Sequence, residues 1–500
     1  MSAGDRKKAQ RAYEAALQRR KEYLQAVDAR LHSQEYLAAP GRLANTVRDL
    51  ERRGLFQYDA NTRRYDLHPV VRGIAAGRLR PEESDVYGQR AVDHFSARPH
   101  NPFEEAETLD DLRDGLNVVR TLLKMGRYQQ ASDAYRGDLS NALCFNLEAY
   151  PEVLSLLKPF FPQGWATRPK DIYYDGYLAN CAAIALQQTG ALTESLAAYG
   201  AALASDLRVE DWREASIRLN NLFFALRDQN HLAQGDRCLL SALNLAELID
   251  HEEVVFTVRL RRFEQLATIG QWEETKAIWD LLDPMGRKWS RALYRPGDAE
   301  YRYAVFRFFQ GDLTDAHLAL AEELAKAGKN RTRLRGIHAL RGEWRTERGE
   351  WALAMESLGE ALAMARAAGR TDAKAETLLA LAKFHLGQLG EPRREAEQLA
   401  SKSRVSNRAL AELWLAIGDH EQAKKHALAA YRGAWADGEP YVHRYELDKA
   451  RALLETLGAE IPNLPVYDPA KDGKFPLEDE VAAAIEKLRA EKEAKDRKQD

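Results

Sequence analysis

The chain has 500 residues, 45% of them hydrophobic and 30% charged, with a formal net charge of -3. That balance excludes a globally basic nucleic-acid binder, and the three cysteines, Cys144, Cys181 and Cys238, fit neither a disulfide framework nor metal-ligand spacing. Strand-like runs are scarce and Gly (31) and Pro (17) are modest, so a mainly α fold with a large core is predicted.

The first residues are charged where a signal peptide would be apolar, and no run approaches the ~18 apolar residues of a membrane span. A soluble, cytoplasmic protein with no membrane partner is expected, its cysteines ordinary core thiols. Residues 1–40 read as an N-terminal helical segment, with Tyr13, Ala16, Leu17, Tyr23, Leu24 and Val27 at helical spacing and Pro40-Gly41 as its end.

From 41 to 80 the pattern changes. Leu43, Val47 and Leu50 share a helical face closed by Gly54, Leu55 to Tyr58 and Arg64 to Leu67 are β-prone around the turn Asp59-Ala60-Asn61-Thr62, and Pro69 opens a second helix. Helix, two-stranded wing and helix make a winged-helix domain. Leu50-Glu51-Arg52-Arg53-Gly54-Leu55, followed by Tyr65-Asp66-Leu67-His68-Pro69-Val70-Val71-Arg72, resembles the winged-helix module that follows the nucleotide-binding core of STAND NTPases (NB-ARC, or AP-ATPase-like, proteins), bacterial relatives of apoptotic and plant immune-receptor ATPases. The resemblance implies that His68 approaches the β-phosphate of bound ADP, and that helical repeats follow. One part of that pattern is missing. Neither Gly328-Lys329-Asn330 nor Gly473-Lys474-Phe475 has the upstream Gly and the Ser or Thr of a phosphate-binding loop. No cofactor is therefore expected for this chain alone, and ADP or ATP enters only where an NTPase domain is supplied in trans or by a longer protein.

Residues 81–105 read as a helical connector, with Val86, Tyr87, Ala91, Val92 and Phe95 in helical register. Between 106 and 460 one unit recurs: a closing Gly, a small residue five later, and larger residues nine and thirteen later. The copies are Gly126 with Ala131, Tyr135 and Leu139; Gly190 with Ser195, Tyr199 and Leu203; Asn230 with Gly235, Leu239 and Leu243; Gly270 with Thr275 and Trp279; Gly311 with Ala316, Leu320 and Leu324; Gly349 with Ala354, Leu358 and Leu362; and Gly418 with Ala423, Ala427 and Tyr431. From Gly190 to Gly349 the spacing is 40, 40, 41 and 38 residues, one helical hairpin per step. The pattern resembles the tetratricopeptide repeat at a longer period than its usual ~34 residues, which implies a right-handed α-solenoid. The 64 residues between Gly126 and Gly190 hide a degenerate hairpin around Asn146 to Pro151. Residues 461–500 read as a linker, a capping helix bearing Val481, Ala484, Ile485 and Leu488, and a disordered tail.

Two clusters stand out as partner-binding candidates. Arg331, Arg335, His338, Arg341 and Arg345 fall within a ~120° arc of one helix, beside a packing stripe of Ile337, Leu340 and Trp344. Arg259, Arg261 and Arg262 precede Phe263, and Arg291, Tyr294, Arg295, Tyr301 and Arg302 follow in the next repeat. His251-Glu252-Glu253 lacks the second His of a zinc helix, no G-x-S-x-G elbow occurs, and no catalytic or metal residue is assigned.

These features point to a non-catalytic interaction protein that senses a ligand. The resemblance makes it the C-terminal sensor part of a STAND NTPase in bacterial signalling or antiphage defence. Its partners would be a protein or peptide on the concave solenoid face and an NTPase or effector subunit, with room for an oligomer. The second reading is a winged-helix transcriptional regulator with a repeat sensor, using Arg42, Asn45, Arg48 and Arg52 with Arg63 and Arg64 of the wing.

Overall fold

The computed structural model describes residues 31–59, 64–67, 80–172, 176–289, 296–402 and 404–499, with further positions between 14 and 29 and at 74 and 78. It is mainly helical, and the chain divides into two compact units, Met1–Arg90 and Ala91–Asp500.

In the first unit, α1 (Gln34–Arg52) begins where the Ser33 hydroxyl accepts the Tyr36 N–H at 3.2 Å. It runs straight through Pro40 and Gly41, so the stop expected there is moved back to Ser33. A proline inside a helix removes a donor and crowds the carbonyl four residues back. Here the Arg42 guanidinium donates to the neighbouring Glu35 carbonyl at 2.7 Å, which supplies one polar partner in the disturbed turn. Gly54 does end the helix, at φ 69°, with the Leu55 N–H returning to the Leu50 carbonyl. β1 (Phe56–Asp59) and β2 (Arg64–Leu67) follow as an antiparallel pair, Phe56 opposite Leu67 and Asp59 opposite Arg64. His68, Pro69 and the helix expected after them lie outside the described residues, apart from a helical backbone position at Ile74.

Helix α2 (Pro81–Ser96) carries the chain into the second unit, which is built of helical hairpins. The early ones are α3 (Arg113–Lys124) with α4 (Tyr128–Tyr135), and a short α5 (Asp138–Asn141), prolonged by a π-helical turn, Ala142–Asn146, with α6 (Tyr150–Leu157). This second pair is the degenerate hairpin expected from the long gap. Its turn is made by Glu148 at φ 50° instead of a glycine. Regular hairpins then pair α7 (Gly176–Thr189) with α8 (Leu192–Arg208), α9 (Trp212–Asp228) with α10 (Leu232–Leu248), and α11 (Glu252–Ile269) with α12 (Trp272–Trp289). They continue as α13 (Asp298–Gln310) with α14 (Asp315–Ala327), α15 (Arg331–Glu347) with α16 (Trp351–Ala367), α17 (Ala373–His385) with α18 (Pro392–Ala400), and α19 (Asn407–Ile417) with α20 (His420–Trp435). From α7 to α21 (Arg444–Thr456), each first helix also touches the first helix of the next hairpin.

All seven closing positions named from the sequence have left-handed backbone, with φ between 63° and 90°. That conformation is what lets a chain leave one helix and re-enter the next after two residues, and it is why Gly, and once Asn, stand there. In six copies the residue five later is buried or nearly so, Ala131, Ser195, Thr275, Ala354 and Ala423 being inaccessible. The Gly311 copy is a correction. Ala316 and Leu320 are exposed, and Leu318, Ala321 and Ala325 are the buried stripe. The reason is local: Thr314 and His317 form a capping box, so α14 starts four residues after the glycine where the other second helices start two after theirs. An eighth closing position, Gly387 at φ 67°, escaped the pattern because the next helix starts only at Pro392, five residues on.

The C-terminal segment also departs from expectation. α22 (Glu478–Gln499) is helical through the stretch expected to be disordered, and it packs on α10 and α8 in the middle of the array, not over its end. Phe475, Val481 and Ile485 are buried in the core shared by Ala198, Cys238 and Leu239. The Arg237 guanidinium of α10 binds the Asp472 and Glu478 carboxylates and the Gly473 carbonyl. Among the described residues no helix is long and apolar enough to cross a membrane.

Candidate ligand cavity

The first helices of the hairpins line two adjoining cavities in the second unit. One, of about 330 Å³, has walls from α5, α7, α9, α11 and α13; the other, of about 450 Å³, is bounded by α7, α9, α11, α13 and α15. Phe145, Ile184, Asn221 and Phe224 line both. The smaller is chiefly apolar, with Ile217, Val254 and Leu260 beside the shared residues, whereas the larger is polar.

Side chains one repeat apart in sequence meet across these walls, because successive first helices present the same face. The Asn221 amide donates to Asn180 at 3.1 Å, and Asn220 donates to Asn221 at 3.2 Å, an amide chain running from α7 to α9. Gln187 donates to Asp228 at 2.8 Å. The Oδ1 of Asn220 is buried and finds no hydrogen-bond partner among the described residues.

Between the cavities lies a buried charge cluster. Asp298 accepts from Arg261 at 2.9 Å and Arg302 at 3.2 Å, and lies 2.8 Å from an Arg333 nitrogen. Glu264 accepts from Arg227 at 2.6 Å and is paired with Arg302. Arg261 and Arg302 are 5% and 6% exposed, deep enough for the charge to need compensation. Burial, then repulsion from Arg261, Arg333 and Arg227, drives the Arg302 guanidinium well below its ordinary pKa. Arg261 is lowered as well, burial and the neighbouring arginines outweighing Asp298. The nearby carboxyl of Glu300 is pushed up by burial, which favours its neutral form. Arg227 and Arg261 both stack on the Phe224 ring, 5.1 and 5.2 Å from its centroid. The Nε and Nη1 of Arg261 and the Nε of Arg333 have no hydrogen-bond partner among the described residues.

The arginine arc picked out from the sequence is engaged within the chain. Arg335 pairs with Glu148, Arg341 with Glu322 and Arg345 with Asp315 and Glu350, while His338 meets Glu360 at 2.7 Å. Arg331 is exposed at the start of α15. Arg259 and Arg262 likewise hold Glu247 and Asp236. Arg291, Tyr294 and Arg295 lie outside the described residues. Arg261 and Arg302 of the second cluster do contribute to the cavities, together with Arg333, which neither cluster included.

Sequence reasoning named Arg261, Tyr301 and Arg302 but missed Arg227, Glu264, Asp298 and Arg333, although a signal was present. Arg227 and Glu264, like Arg261 and Asp298, are separated by 37 residues, close to the repeat period. A charge pair at that spacing on first helices marks a contact across the inner wall. The three cysteines are buried as expected. Cys144 and Cys181 nevertheless come together at the smaller cavity, and a hydrogen bond from Cys144, ahead of opposing burial, lowers the Cys181 thiol pKa.

Comparison with known proteins found no matching family model and no matching curated relative.

Proposed function

We propose that the chain is a non-catalytic, ligand-sensing scaffold: a winged-helix domain joined to a right-handed solenoid of tetratricopeptide-like hairpins. It resembles the sensor half of a STAND NTPase serving bacterial signalling or antiphage defence. The observation that carries this reading is the pair of cavities walled by the first helices of consecutive hairpins. A preformed concavity with an apolar half, a polar half and buried groups lacking partners is the usual form of a small-ligand site. Because the same helices stack the hairpins, occupancy would alter how neighbouring repeats pack. His68 would then report to a nucleotide held by an NTPase partner.

The test is to purify the chain from its host, denature it and look by mass spectrometry for a released molecule. The Ile217→Trp variant, which fills the smaller cavity, should release none. A wild-type chain that carries no ligand, and whose melting is unmoved by host small-molecule extract, would remove the sensing role.

A further inference from the structure

Building on the sensing role, we infer that the cavity ligand is a phosphate monoester with an uncharged apolar or aromatic body, its phosphate lying among Arg227, Arg302 and Arg333 and its body against Phe224, Phe145 and Ile184.

Charge carries the first step. Four guanidinium groups, Arg227, Arg261, Arg302 and Arg333, converge on two carboxylates, Glu264 and Asp298. Arginine keeps its proton in proteins, so the cluster holds an excess of about two positive charges. The neighbouring groups do not remove it. Asp228, 3.8 Å from Arg227 and hydrogen-bonded by Gln187, offsets one of these charges, while Lys329 and Arg370 add two positive charges to the same wall. Glu148 is shared by Arg335 and Arg370.

A buried excess of two charges matches a dianion. A phosphate monoester carries about -1.5 to -2 near neutral pH, whereas a single carboxylate would supply half of what is needed. Guanidinium forks also match phosphate oxygens in pairs, and Arg333 retains an unpartnered buried Nε.

Shape supplies the second step. The polar cavity adjoins the apolar one, Phe145, Ile184, Asn221 and Phe224 lining both, so a ligand with a charged head in the first would set an uncharged body against these shared side chains. Asn220 is among the residues lining the smaller cavity, and its buried Oδ1 has no hydrogen-bond partner among the described residues.

The test is isothermal titration of the full chain with phenyl phosphate, hexyl phosphate, adenosine monophosphate, inorganic phosphate and benzoate. At least one of the three esters should bind tenfold or more tightly than both inorganic phosphate and benzoate. The preferred ester identifies the source: an alkyl chain as in a lipid headgroup, a simple aryl body or a nucleoside. Arg333→Gln should weaken the ester at least tenfold while the ligand-free variant keeps its helical circular dichroism, because Asp298 is still held by Arg261 and Arg302. Lys329→Ala, an exposed change, should weaken it several-fold with the fold untouched. Equal affinity for benzoate and the esters, or undiminished ester binding by both variants, would overturn the assignment. If all the esters fail while another molecule is released from the natively purified chain, the sensing role stands and this ligand class falls.

Discussion

Glu148 shows how one residue can hold distant parts of the chain. It occupies a left-handed turn, is 4% exposed, and accepts from Thr332 at 2.7 Å, Arg335 at 3.0 Å and Arg370 at 3.1 Å. Burial alone would raise its carboxyl pKa, but the hydrogen bond and charge of Arg335, the charge of Arg370 and the Thr332 hydroxyl outweigh burial and hold it below the ordinary value. A lowered folded pKa means the stabilisation is complete above the unfolded pKa and is lost as pH falls through the folded one. Glu148→Gln should therefore cost about 3 kcal/mol at neutral pH, as for removal of one partner from a buried pair. In a pH series of melting curves, the gap between wild type and variant should close below pH roughly 4. A gap that is constant with pH would mean that packing, not charge, fixes this turn.

The arginines of α15 separate by the same criterion. Reversing Arg335 to Glu sets a like charge against Glu148, whose side chain is 3% exposed, while Arg345→Glu does so against Asp315 and Glu350, whose side chains are 68% and 29% exposed. Pairs to more exposed carboxylates contribute less, so Arg345→Glu should lower the melting temperature less than Arg335→Glu, which leaves two buried like charges together. If the arc captures a partner, Arg345→Glu should weaken capture in a folded protein. Equal melting losses for the two variants would contradict the pairing seen here.

At the scale of the elements, the closing glycines are not equivalent. Gly349 at φ 69° has nothing closer than 3.9 Å to an added Cβ, whereas at Gly270, φ 80°, that atom would lie 2.6 Å from Cγ of Arg444. Gly349→Ala should cost only the left-handed backbone penalty, about 1–2 kcal/mol. Gly270→Ala should cost more, because Arg444, on α21, must move from its position beside α11. Urea titrations of the two variants decide this, and a Gly270→Ala no worse than Gly349→Ala would show that the α11–α21 contact yields freely. The amide and charge ladders obey the same geometry, since helices one hairpin apart place residues about 37–41 positions apart within hydrogen-bond reach.

For the second unit as a whole, the C-terminal segment is an internal support. Phe475 is 1% exposed and Val481 fully buried against helices more than 200 residues earlier in the chain. Phe475→Ala should cost about 3–5 kcal/mol, the range for deleting a buried aromatic. Ending the chain after residue 460 should expose the α8 and α10 faces and be read as dye binding and loss of a cooperative melt. A truncated chain that melts like the full one would show that α22 merely rests on the array.

The sequence by itself determined the helical class, the hairpin period and the seven left-handed turns, because each rests on local backbone chemistry: a Gly or Asn where φ must be positive, and a small residue where two helices meet within one hairpin. The helix and two strands of the first unit were legible for the same reason. Where α14 begins was not, since a capping box two residues downstream competed with the usual turn. Tertiary structure alone decided which arginines are held inside the chain, that Cys144 and Cys181 meet, that α22 packs on the middle of the array, and that Arg227, Arg261, Arg302 and Arg333 share two carboxylates beside a cavity. Those facts depend on which helix faces come together across one or many repeats, and a one-dimensional pattern records the period of such contacts without recording their partners.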